Sequence, residues 1–393
     1  MSSSSPTVVI APDSFKGSCT APEAAAALAA GVRAALGPDA RAIEVPLADG
    51  GEGSLDALVS AWHGEVRPVP TTDALGRPRS GRIGVSGDGR TAIIEAAEAN
   101  GLPHVLDAPL RALDADSFGV GTLVRAALDE GARDLVLCLG GSATSDGGAG
   151  MLRALGARLL DREGSPITPG ARGLRDLKSI DLTGLHPAAG AARWRIACDV
   201  ENPLTGPRGA AAVFGPQKGA TAADVAEIDA GLAQFARVLA EGSTESSGIA
   251  AAVSPTNISE LPGMGAAGGL ALAPVTLFGG ELVPGAELVA DAAGLREALH
   301  DARLVITGEG RLDAQSLDGK VVSHVVAAAP AGVPVVVVAG SLALSAKECR
   351  RAGITAAFSL AAGPASLEDL QRDAVALLEQ AGYQVAALAF AGA

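Results

Sequence analysis

The chain has 393 residues, 48 % of them hydrophobic and 3 % aromatic, with four cysteines and a formal net charge of -14. Such a length suggests two domains, three at most, and the composition excludes a disordered chain in favour of an Ala, Val, Leu and Ile core. The acidic balance argues against nucleic acid as a partner, the irregular cysteines (Cys19, Cys138, Cys198, Cys349) against a disulfide or zinc framework, and the short apolar runs against a membrane span, so a reduced cytoplasmic protein is expected.

The Ser-rich start, Met1 to Pro6, has no charged residue followed by an apolar stretch, so it reads as a frayed tail and not as a secretory signal. Thr7–Ala11 reads as a buried strand followed by Pro12-Asp13-Ser14-Phe15-Lys16-Gly17. The next helix has a capping box at Thr20 and Glu23, Pro22 in its first turn and Gly37 as its stop. Ala42–Leu47 reads as a second strand, leading into Ala48-Asp49-Gly50-Gly51-Glu52-Gly53. Val66 to Glu95 alternates Pro/Gly turns with short extended runs and predicts a few antiparallel strands.

Arg133–Leu139 reads as a central strand. It runs into GGSATSDGGAG, Gly140 to Gly150, and then into a helical pattern with Met151, Leu152, Leu155 and Leu159 on one face. A strand, a loop of glycines and hydroxyls, then a helix start is a place to hold an anion, because glycine lets the backbone approach closely and exposed N–H groups point outward. In an acidic protein such binding must come from local geometry and not from the overall field. Trp194–Cys198 predicts another central strand, followed by Asp199-Val200-Glu201-Asn202-Pro203. Phe214-Gly215-Pro216-Gln217-Lys218-Gly219 leads into a helix over Asp224 to Glu241, with Val225, Ile228, Leu232 and Phe235 inward. Ser243 to Pro262 reads as a Ser/Pro-rich loop.

Three further buried strands are expected at Leu304–Thr307, Pro334–Ala339 and Ala356–Leu360, with a last helix starting near Ser366. The first of these is followed by Gly308-Glu309-Gly310-Arg311-Leu312-Asp313 and the second by Gly340-Ser341. Most of the five outer strands lead into Ala/Leu-rich helices, the alternation of an open, doubly wound parallel sheet. Two of the five lie before residue 60 and three after residue 300, and the roughly 220 residues between are too many for one crossover. A second α/β domain inserted into the first is the simplest account, with residues 1–64 and 285–393 as the discontinuous domain and 65–284 as the insertion.

Ligands of open α/β sheets sit at the carboxyl ends of the strands, where this chain repeatedly places charged residues among glycines. Taken singly, each turn is more often a tight connection than a site. Asp13 alone could cap its own turn, Arg311 and Asp313 could pair with each other, and Asp49 and Glu52 could simply precede a helix. Their recurrence at one sheet edge is what points to function. Glycine-rich loops, several carboxylates and the isolated cations Lys16, Lys218, Arg311 and Lys320 suit phosphoryl transfer, with a divalent cation between carboxylates and phosphates. A Walker A loop is absent, since Gly319-Lys320 is followed by Val321. The Gly263–Gly268 match to a dinucleotide pattern lacks a preceding strand.

Seven segments together resemble the type I glycerate kinase family, the bacterial glycerate 2-kinases. They are VVIAPDSFKGS (Val8–Ser18), VPLADGGEGS (Val45–Ser54), LGGSATSDGGAGM (Leu139–Met151), ACDVENPL (Ala197–Leu204), FGPQKGA (Phe214–Ala220), GAAGGL (Gly265–Leu270) and VITGEGRLDAQSLDGKV (Val305–Val321). The resemblance runs nearly end to end. It implies a flavodoxin-like parallel-sheet domain with a second α/β domain inserted in it, and phosphorylation of D-glycerate by ATP and Mg2+ in an interdomain cleft, giving 2-phosphoglycerate or, by some accounts, 3-phosphoglycerate. On this basis Asp199, Lys16 and Asp13 are expected to be catalytic. Ser142, Thr144, Asn202, Arg311 and Lys218 are expected to bind substrate, and Gly140, Gly141, Gly308, Glu309, Gly310 and Ser341 the nucleotide. Asp49, Glu52 and Asp313 are the metal candidates. One departure stands out: Asp116-Ser117-Phe118 occupies the place where relatives tend to have Thr-Ser-Tyr or Thr-Ser-Arg. A small-molecule substrate is the expected partner, with a homodimer left open. A kinase for another small hydroxy acid and a non-catalytic organic-acid-binding protein are the alternatives.

Overall fold

The computed structural model describes residues 6–246 and 255–391, so residues 1–5 of the Ser-rich start fall outside the described residues. The chain forms two compact α/β units. The first comprises Met1–Asp49, Asp56–Trp62 and Ala286–Ala393, and the second Gly50–Leu55 and His63–Gly285.

The sheet of the first unit has five parallel strands in the order Ala356–Ser359, Val335–Leu342, Leu304–Leu312, Thr7–Ile10, Arg41–Glu44. Its two faces follow the period of two along a strand. Val336 and Val338 join Val8, Ile10 and Leu304 in one core, whereas Val337 and Ala339 join Val322, Cys349 and Ile354 on the other side. Helices therefore cover both faces, as a doubly wound sheet requires.

On the first face, the helices Ala21–Leu36 and Ala374–Ala389 pack backbone to backbone. A Cβ on Gly31 would stand 2.0 Å from the Glu379 carbonyl, and one on Gly382 would stand 2.3 Å from that of Leu28. The start of the first helix carries the expected reciprocal cap between Thr20 and Glu23, and Gly37 closes it with its N–H on the Arg33 carbonyl.

Two turns expected after strands are strand instead. Leu304–Leu312 and Val335–Leu342 continue pairing through Arg311 opposite Ser341, so Gly308 to Leu312 and Gly340-Ser341 lie within the sheet. The glycines permit this. A Cβ at Gly308 would meet the Val338 carbonyl at 2.2 Å, and one at Gly340 would meet that of Gly310 at 2.5 Å.

The second unit has a six-stranded sheet in the order Glu281–Val283, Arg193–Ala197, Asp134–Cys138, Thr91–Glu95, Pro78–Val85, Glu65–Thr72. The first four are mutually parallel and the last three form an antiparallel meander. Pro68 and Pro70 sit on the edge strand, where a missing N–H costs no ladder bond. The core includes Trp194, whose indole N–H donates to the Ala189 carbonyl at 2.9 Å and whose ring stacks on Phe278 at 5.2 Å.

Two readings of this region change. The helix after the glycine loop is only Ala149–Ala154. It stops at Gly156, whose φ is +104°, so Leu159 is buried from the short strand Arg158–Leu160 and not from the helix. Much of the stretch expected as a loop is helical, because Ala222–Ser246 runs past Ser243 and Pro255–Glu260 forms another helix. Residues 247–254 lie outside the described residues. Ile228, Leu232 and Phe235 are fully buried, and Val225 packs partly buried against the same core.

Candidate active site

Because the first unit's strands are all parallel, their carboxyl ends lie on one edge. The turn after Thr7–Ile10 is tied to the neighbouring strand, with the Asp13 N–H donating to the Gly308 carbonyl at 2.8 Å. Asp13 is 8 % exposed, and its carboxylate accepts the Ser14 N–H at 2.6 Å. Burial, reinforced by Asp49, pushes its pKa up to about 7, against the pull of the Ser14 N–H and the nearby Lys16. Glu309 is also shifted upward, by burial and by Asp313 and Asp49. Ser316 and Lys320 pull the other way, and one of its buried oxygens has no partner among the described residues. Lys320, at the residue before the helix Val321–Ala328, reaches Asp49 at 3.9 Å.

Asp13, Lys16, Asp49, Glu309 and Lys320 thus share one electrostatic neighbourhood. Three other nominated residues are spent locally or exposed. Asp313 caps the turn Ala314–Leu317 through the Gln315 N–H, Arg311 pairs with Asp313 at 3.4 Å on the surface, and Ser341 is exposed opposite Arg311.

In the second unit the glycine loop leaves Asp134–Cys138 and is held on every side. The Leu102 N–H donates to the Gly141 carbonyl and the Ala143 N–H to that of Asn100, at 2.7 and 2.8 Å. The Asn100 amide donates to the Thr144 hydroxyl at 2.8 Å. The Gly147 N–H donates to the Gly268 carbonyl at 2.9 Å. The Gly263–Gly268 segment is therefore a brace for this loop and not a dinucleotide turn.

The start of the helix at Ala149 does not offer its N–H groups outward. Asp146, 1 % exposed, turns back and accepts from Gly148 at 3.2 Å, Gly150 at 3.0 Å, and both the N–H and hydroxyl of Ser117 at 2.9 and 2.8 Å. The Ser117 hydroxyl accepts in turn from the Met151 N–H at 3.0 Å. Burial and Asp116 push the Asp146 pKa up, and the donors from Ser117 and Gly150 oppose that. The anion expected at this helix start is thus supplied by the protein. The unusual Asp116-Ser117-Phe118 segment serves this brace, since Asp116 also binds Arg153 at 2.7 Å.

What remains open to a ligand is the first half of the loop. Lys218, 2 % exposed, donates to the Thr144 carbonyl at 2.6 Å and the Ser142 hydroxyl at 3.2 Å. It lines a cavity with Gly140, Gly141 and Ser142. Gly140 also packs against Gly51, where a Cβ would come within 2.8 Å, which brings the backbone of exposed Glu52 beside the loop.

Asp199 emerges after Arg193–Ala197, with one oxygen anchored at 2.6 Å by the Gly285 N–H. Asn202 lies in the irregular stretch after that strand, and its amide donates to the Arg208 carbonyl at 2.8 Å. Sequence reasoning missed Asn100, Ser117 and Asp146 as organisers of the loop. It also missed Glu95, which accepts the Gly53 and Leu55 N–H groups at 3.1 and 3.2 Å. Asp146 sat inside the singled-out motif, where an aspartate before Gly-Gly at a helix start is a capping signal.

A family model described as the glycerate kinase family matches residues 8–390. Over 97 % of both chains, the protein is 42 % identical to a glycerate kinase of Halalkalibacterium halodurans and 41 % identical to the glycerate 2-kinase of Escherichia coli. A crystal structure of a Salmonella typhimurium LT2 protein assigned as glycerate kinase 2 superposes with a TM-score of 0.84 at 42 % identity, covering 99 % of each chain. The chain belongs to the glycerate kinase family.

Proposed function

We propose that the protein transfers the γ-phosphoryl group of ATP to a hydroxyl of D-glycerate, giving 2-phosphoglycerate, in a cytoplasmic setting. The observation that carries this reading is the pairing of buried carboxylates with lysines at the strand ends of a glycerate kinase family fold. Asp13, Asp49 and Glu309 lie with Lys16 and Lys320 in one unit, and Ser142 with Lys218 in the other. Phosphoryl transfer needs little covalent help from the protein, only positioning and charge stabilisation.

Asp199, anchored by Gly285, is proposed to orient the acceptor hydroxyl and take its proton. Lys16 and Lys320 are proposed to offset phosphate charge, with the glycine-lined Gly308–Gly310 edge and Ser341 beside the nucleotide.

The first unit's residues fit a magnesium ion. The donors are all carboxylate oxygens, Asp13 and Glu309 are each shifted toward protonation with Asp49 contributing, and a buried Glu309 oxygen lacks a partner among the described residues. Among the described residues no three His, Cys, Asp or Glu side chains form a ready-made cage. Magnesium characteristically takes one or two carboxylates and completes its shell with phosphates and water. Asp49 and Glu309 are the residues proposed to hold it, with Asp313 and Glu52 as further candidates. When bound, the ion neutralises charge on the phosphates.

Phosphorus NMR of the product from D-glycerate, ATP and Mg2+ tests activity and regiochemistry together. Asp199→Asn is expected to lower kcat by about 100-fold or more, as loss of a general base does. A folded variant with near-normal turnover would remove Asp199 from the mechanism. Absence of ATP consumption with glycerate in the wild type would sink the reading itself.

A further inference from the structure

The cavity beside the glycine loop has a volume of about 160 Å³. It has room for the carboxylate end of a three-carbon hydroxy acid. Leu139, Phe214 and Ala267 contribute apolar walls, Ser142 and Gln217 contribute polar groups, and Lys218 is the one charged residue lining it among the described residues.

The Lys218 ammonium has three donors. Two are spent on the Thr144 carbonyl and the Ser142 hydroxyl, and the third has no partner among the described residues. One buried positive charge beside apolar walls matches one carboxylate. A phosphate dianion would leave negative charge unpaired in a desolvated site.

We propose that this cavity is the subsite for the carboxylate of the acceptor acid, gripped by the third N–H of Lys218 with Ser142 alongside. The inference rests on the reading of the protein as a glycerate kinase and specifies which anion the loop holds. Gly140 and Gly141, expected beside the nucleotide, then line the acid's pocket.

The charges around Lys218 fit that role. Burial holds its pKa down at about 8, opposed by Asp146. Asp146 in turn faces Asp116, which is paired with Arg153. An arriving carboxylate favours the charged ammonium, so acid binding is linked to proton uptake once the free lysine begins to lose its proton.

Calorimetry of the full chain with D-glycerate, without nucleotide, from pH 6.5 to 9.5 tests the proposal. Affinity is expected to be flat below about pH 8 and to fall about tenfold per pH unit above it. Lys218→Gln is expected to weaken glycerate about 100-fold, the worth of a charge-assisted hydrogen bond, and to leave Mg-ATP binding within about threefold in equilibrium dialysis. Lactate, which carries one carboxylate, is expected to compete with glycerate. Unchanged glycerate affinity in Lys218→Gln, selective loss of ATP instead, or a wild-type affinity flat across pH 8 would overturn the subsite. If Lys218→Gln does not fold, the wild-type pH series and Ser142→Ala, expected to weaken glycerate but not ATP, decide it. Wild-type protein that binds lactate with this pH dependence yet does not phosphorylate glycerate would support the subsite and remove the glycerate assignment. Normal turnover with Lys218-independent glycerate binding would do the reverse.

Discussion

Replacing Asp146 with alanine removes the acceptor of three backbone N–H groups, those of Ser117, Gly148 and Gly150, and of the Ser117 hydroxyl. All belong to buried residues. A buried donor left without a partner costs about 1–3 kcal/mol. The Ser117 hydroxyl can rotate, and removing a desolvated carboxylate returns part of the loss, so the net destabilisation should be about 3–5 kcal/mol. For a unit of this size each kcal/mol moves the midpoint by about 2–4 °C, so a fall of roughly 10 °C is expected.

Asp146→Asn is expected to cost less, because its amide oxygen can take the place of Oδ2, which accepts from Ser117 and Gly150, and only the Gly148 N–H then faces the amide NH2. Ser117→Ala, which leaves the three N–H bonds in place and orphans only the Met151 N–H, should cost about 1–2 kcal/mol. Thermal unfolding followed by circular dichroism ranks the three. An Asp146→Ala midpoint within about 2 °C of wild type would refute the claim that this carboxylate holds the loop.

Asp13 gives a pH-dependent test. Its pKa is raised from an ordinary 3.8 to about 7, so folding favours the neutral form. Its contribution to stability is complete below pH 3.8 and is lost as pH rises through about 7, an effect of ~4 kcal/mol at most. Asp13→Asn should therefore gain stability over wild type between pH 5 and 8 while losing turnover, and a pH-independent difference in urea midpoints would count against it. Ala267 holds φ at +47°, a left-handed conformation costly for a residue with a Cβ. Ala267→Gly should gain about 0.5–1 kcal/mol in urea unfolding. Gly31→Ala places a methyl 2.0 Å from the Glu379 carbonyl, and forcing the two helices apart should cost at least ~3 kcal/mol, read as a lower midpoint.

Local chemistry made much of this protein legible in its residues. The three central strands of the first sheet announced themselves as Val/Ile runs, whereas its edge strands Arg41–Glu44 and Ala356–Ser359, expected among the buried ones, are half-buried to exposed; the first helix was marked by its Thr20–Glu23 cap, and the inserted unit by two strands and three strands separated by more chain than one crossover uses. What chain order could not supply was pairing between distant segments.

Leu304–Leu312 and Val335–Leu342 stay paired through glycines that read as turns, because each glycine admits its neighbour's carbonyl. The sheet order, with Thr7–Ile10 between Leu304–Leu312 and Arg41–Glu44, is likewise a long-range choice. Glycines and hydroxyls from Gly140 to Gly150 suggested an anion cradle from composition alone. Tertiary contacts divide that loop: Asp146 fills the helix start with the protein's own carboxylate, and Lys218, more than seventy residues further on, is buried against Ser142 and Thr144. Residue type determined that the loop could bind charge. Only the burial of distant partners decided which half of it is satisfied from within and which half keeps a spare donor, because desolvation and hydrogen-bond saturation belong to packed neighbours and not to spacing along the chain.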